Sequence, residues 1–96
     1  MIEVRQTPHF AEWLAGLKDR DAVRKIAQRI VRIQAGLLGD VKFFEGIGEL
    51  RIDFGPGYRV YFVKRGNAFI LLLCGGDKAS QKRDIKRAIT MAKEIE

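Results

Sequence analysis

Ninety-six residues, 47% apolar and 31% charged, are enough for one ordered domain with a single core, and they exclude a second domain and a disordered or low-complexity chain. Eighteen Lys and Arg against twelve Asp and Glu leave a formal charge of +6, a field that favours an anionic partner such as nucleic acid or an acidic protein. Cys74 is the only cysteine, which excludes an internal disulfide and a thiolate metal cluster within one chain and makes it a small core residue.

The first residues contain no apolar run of signal-peptide length. The longest hydrophobic stretch, Ala68 to Cys74, is too short to span a bilayer, so a cytoplasmic protein without membrane contact is expected. IEVRQT at 2–7 alternates as a half-buried strand does, and Thr7-Pro8 supplies an N-cap with proline at the first helical position. Phe10, Trp13, Leu14 and Leu17 then form a helical stripe that ends near Gly16, and Asp19 or Asp21 can cap a second helix. Val23, Ile26, Ile30, Ile33 and Leu37 share one face of that helix. Arg20, Arg24, Gln28 and Arg32 lie off this face, and Gly36 and Gly39 bracket the end.

From Asp40 the period becomes two. ELRIDF at 49–54, YRVYFVK at 58–64 and AFILLLC at 68–74 read as three strands, and the short GPG and RGN connections predict an antiparallel meander. AFILLLC is apolar on both faces and belongs inside the sheet. Ser80 to Ile95 returns to helical spacing, with Ile85, Ala88, Ile89, Ala92 and Ile95 inward and Lys82, Arg83, Lys86, Arg87 and Lys93 mostly outward. The expected fold is α+β, in the order β-α-α-β-β-β-α, with helices packed on a mainly antiparallel sheet.

Groups for proton transfer are scarce. His9 is the only histidine and reads as a surface residue of the first helix, while Ser80, the only serine, reads as a helix cap. Glu49, Asp53, Asp77 and Asp84 lack metal-site spacing, so neither metal nor cofactor is expected. GGDK at 75–78 lacks the spacer and the Lys-Ser/Thr pair of a phosphate loop and reads as a tight strand-to-helix turn.

The remaining signal is a convergence of cations. In GPGYRVYF, Tyr58, Val60 and Phe62 face one side of a strand while Arg59, Tyr61 and Val63 face the other. Arg51 lies on the adjacent strand, and Lys78, Lys82 and Arg83 follow the last one, where the ends of a meander can meet. Guanidinium groups hold phosphate oxygens bidentately and oppose charge developing in a transition state, and RNA brings its own nucleophile, the ribose hydroxyl.

FAEWLAGLKDRDAVRKIAQRIVRIQAGLLGDVKFF, GELRIDFGPGYRVYF and LLLCGGDKASQKRDIKRA together resemble the addiction-module killer proteins, the HigB-like branch of the RelE/ParE toxin superfamily, over nearly the whole chain. The resemblance implies a single RelE-like domain over 1–96 that acts as the toxin of a toxin–antitoxin system and cuts messenger RNA on the ribosome without a metal. Its partners would be a cognate antitoxin, the ribosome with its message, and operator DNA through the antitoxin complex. It assigns the scissile phosphate to Arg59, with Arg51, Lys78 and Lys82 assisting. Arg83, Lys86, Arg87 and Lys42 are the further RNA-binding candidates. A tyrosine and an arginine that RelE carries correspond here to Ile85 and Ala79, so acid and base roles are unassigned. The alternative within the superfamily is a ParE-like toxin that inhibits DNA gyrase and cuts nothing.

Overall fold

In the computed structural model, which describes residues 2–95, Thr7 separates strand β1 (Glu3–Gln6) from helix α1 (Pro8–Gly16). Its Oγ1 accepts from the Phe10 N–H at 3.0 Å and donates to the Leu73 carbonyl at 2.6 Å, tying the helix start to the sheet. Asp19 caps α2 (Arg20–Gln34), accepting from the N–H groups of Asp21 and Ala22. The helix is shorter than its apolar stripe suggests. Leu37, expected on the buried face, lies beyond the last turn and is 63% exposed, because Gly36 at φ +85° turns the chain away.

Four strands follow α2 rather than the three expected: β2 (Val41–Phe44), β3 (Ile47–Ile52), β4 (Tyr58–Arg65) and β5 (Phe69–Gly76), with α3 (Gln81–Glu94) last. The order is therefore β-α-α-β-β-β-β-α. Between β2 and β3 the two-residue turn Glu45-Gly46 has φ of +49° and +82°, the positive values that a tight hairpin needs at both positions. Glutamate in place of the usual asparagine or aspartate conceals that turn in the sequence.

The sheet runs β1-β5-β4-β3-β2. The three pairings from β2 to β5 form the antiparallel meander, but β1 lies parallel to β5, so the sheet is mixed. A parallel neighbour cannot be reached by a hairpin, and here the whole chain between the two strands makes the return. β5, between β1 and β4, is interior to the sheet, as its doubly apolar pattern requires.

Helices cover both faces. Phe10, Ile26 and Ile33 from α1 and α2 meet Leu50, Val60, Phe62, Ile70 and Leu72 on one side, and Ala88 and Ala92 of α3 meet Ile47, Tyr61, Val63, Leu73 and Cys74 on the other. The alternation of Tyr58, Val60 and Phe62 against Arg59, Tyr61 and Val63 holds, but α3 makes the second set interior as well. At Gly48 an added Cβ would run into the Phe62 ring, so glycine is what lets that ring lie flat on β3. No helix among the described residues is long and apolar enough to cross a membrane.

Candidate functional site

Register places Arg51 of β3 directly opposite Arg59 of β4, so the two guanidiniums start from one face of the sheet, the face α3 covers. Like charges in that position repel, and each arginine has its own counter-group. Arg51 donates twice to Asp40 Oδ1, from Nε at 3.0 Å and Nη2 at 2.7 Å, in a pair open to solvent. Arg59 folds back over the GPG turn: its Nη1 donates to the Gly57 carbonyl at 2.7 Å, and its Nε lies 3.8 Å from Glu49 Oε2. Gly57, at φ +80°, has a reason to be glycine beyond the turn itself. A Cβ there would sit 3.0 Å from Arg59 Nη1 and 3.6 Å from Lys78 Cβ.

Arg51, Arg59 and Lys78 line one open cleft of about 360 Å³, together with Asp40 and Asp53. Three cations from β3, β4 and the loop before α3 thus meet across 27 residues of chain, from 51 to 78. Lys82 does not line this cleft. It borders an adjoining depression with Lys78 and Arg83, and Lys78 belongs to both.

The other basic candidates are dispersed. Arg83 and Lys86 line a groove of about 570 Å³ with Lys82 and Glu45, floored by Ile85 and Ile89. Arg87 turns the other way, with Nη1 3.3 Å from His9 Nε2 and 3.9 Å from Asp84 Oδ1. Lys42 is exposed on β2, its Nζ 5.7 Å from the centre of the Phe44 ring.

Two carboxylates lie beneath these cations. Glu49 is 2% exposed, and its Oε2 accepts from the Tyr61 hydroxyl at 3.1 Å and from Gln81 Nε2 at 2.8 Å. Its place could have been found from the alternation of ELRI, which puts it on the same face as Arg51. Asp84 is 1% exposed and accepts from the Ser80 hydroxyl, packed against Gly76 where any Cβ would overlap it. Ser80 stands at the N-cap of α3 but makes no side-chain capping bond. Its hydroxyl is engaged by Asp84 and by the Asp77 N–H, while Asp77 Oδ1 accepts from the Ser80 N–H.

Neither of the chain's two phenols is poised for proton transfer. Tyr58 is buried beside Trp13, and burial, reinforced by Glu49, pushes the Tyr61 phenol well above its ordinary value. Burial likewise pushes the Cys74 thiol up to about 12, so it is not a nucleophile. The cleft sets three cations beside two carboxylates, Asp40 bonded to Arg51 and Asp53 exposed at the rim.

No protein-family model matches the chain. A protein of Haemophilus influenzae (strain ATCC 51907 / DSM 11121 / KW20 / Rd), with the description "Uncharacterized protein", is 47% identical over 95 residues, which span 98% of this chain and 96% of that protein.

Proposed function

We propose that this chain, which belongs to one family with the uncharacterized Haemophilus influenzae protein, is a RelE-like toxin of a toxin–antitoxin system that cuts messenger RNA on the ribosome. The observation that carries the reading is the meeting of Arg51, Arg59 and Lys78 in one open cleft. A phosphodiester bound there presents its non-bridging oxygens to the cations. The neighbouring ribose 2′ oxygen attacks phosphorus, the bond to the 5′ oxygen breaks, and the proton lost by the hydroxyl is balanced by one taken up at the 5′ oxygen. The cleft contributes orientation and opposes the negative charge that builds on the phosphate oxygens. Lys82, Arg83 and Lys86 extend the positive surface along α3 for the flanking strand. The further partners on this reading are a cognate antitoxin and, through it, operator DNA.

Expression of the chain alone in bacterial cells tests the proposal by mapping transcript ends. Wild type is expected to arrest growth and leave cut messages, and Arg59→Ala to lose about a hundredfold to a thousandfold of the cleavage rate on purified ribosomes. Arrest with intact transcripts and lost gyrase supercoiling would replace this reading with the ParE-like one.

A further inference from the structure

We propose that Glu49 is a positioning residue for Arg59, a fixed negative charge under the cleft that sets the direction of the guanidinium without touching the substrate. The inference rests on reading the cleft as a site of phosphate chemistry. Glu49 is held from two elements at once, by the Tyr61 hydroxyl on β4 and the Gln81 amide on α3, both bonded to Oε2. A carboxylate restrained in this way cannot follow a mobile partner. It is a reference point, and the cation that faces it is Arg59.

Arg59 is only partly engaged. Its side chain is 14% exposed, Nη1 is bonded to the Gly57 carbonyl, and Nε is buried with no hydrogen-bond partner. A buried donor left unpaired is costly, and the nearby acceptor lies at 3.8 Å where an ordinary bond is about 2.9 Å. A small shift of the side chain brings the Nε–H onto the Glu49 carboxylate and releases Nη1 from the turn. The two terminal nitrogens then face the cleft side by side, the arrangement that grips a phosphate in two places. An entering anion supplies the acceptor that replaces the Gly57 carbonyl, so in the bound pose the Nε–H and both terminal nitrogens of Arg59 have acceptors.

Glu49→Gln tests this in the full chain, because the amide oxygen can still accept from Tyr61 and Gln81 while the charge is gone. With ribosome-bound message, kcat is expected to fall about tenfold to a hundredfold with KM changed by less than about twofold. The second readout is the Arg59 Nε–H signal in nuclear magnetic resonance, identified by its loss in Arg59→Lys. Inorganic phosphate should shift it in wild type and leave it unmoved in Glu49→Gln. An unchanged kcat together with a wild-type phosphate response in Glu49→Gln would overturn the proposal. Should Glu49→Gln fail to fold, Gln81→Met, which loosens the carboxylate and keeps its charge, is expected to weaken the response, and a full response there is equally fatal. If wild type cuts no RNA, the nuclease reading falls, and the phosphate response alone decides the role of Glu49.

Discussion

Arg59 shows how a cation can be kept on a sheet face that is otherwise interior. The turn before it supplies a carbonyl and, at Gly57, an absent side chain, and the strand beside it supplies a buried carboxylate. The same burial sets the chain's behaviour in alkali. Tyr61 and Cys74 hold their protons above their ordinary values of 10.0 and 9.0, whereas the unfolded chain releases them at those values. Stability from both groups is therefore fully present below pH 9.0 and is lost as pH rises towards the folded values. The loss is expected to approach about 1.4 kcal/mol per pH unit for each group over that window. Urea titrations between neutral pH and alkali should show the fall, and a Tyr61→Phe, Cys74→Ala chain should show a shallower one; equal slopes would contradict the account.

Among the elements, β2 and its turn are where local signals were least informative. GPG and RGN announce their hairpins through glycine and proline, but Glu45 occupies a left-handed position with a residue that gains nothing from it. Glu45→Asn is expected to stabilise the fold by about 0.5–1 kcal/mol, because asparagine tolerates that backbone region better. In a domain of this size that corresponds to a rise of about 2–8 °C in Tm, read by circular dichroism. The caps at Thr7 and Asp19 were legible because capping needs only neighbours in sequence. The Arg51–Asp40 pair was not, since it joins two residues that only the β2–β3 hairpin brings together.

For the whole molecule, most of the surplus of +6 lies outside the cleft. The cleft itself nearly balances, three cations facing Asp40 and Asp53, and much of the excess lies along α3 in Lys82, Arg83, Lys86 and Arg87. On the proposed function, the broad field would draw an anionic chain in and the cleft would hold one phosphate of it. If the one phosphate in the cleft and two more along Lys82, Arg83 and Lys86 are neutralised, affinity for single-stranded RNA should fall with added salt with a log–log slope of roughly −2, at about −0.7 per contact. Filter binding over a range of salt concentrations measures it, and a slope near zero would mean that the cations do not hold the backbone.

By itself the sequence determined what depends on near neighbours: helices and strands grouped as α+β, two helix caps, two hairpins, and the side of β4 from which Arg59 projects. Periodicity and turn chemistry act over a few residues, so they can be read without a partner segment. Only the tertiary structure decided that β1 lies parallel to β5, that α3 seals Tyr61, Glu49 and Asp84 from water, and that Lys78 shares a cleft with Arg59 while Lys82 stands outside it. Those outcomes are set by which distant surfaces must be buried together, and that is a property of the packed sheet and its two helical covers rather than of any stretch of chain.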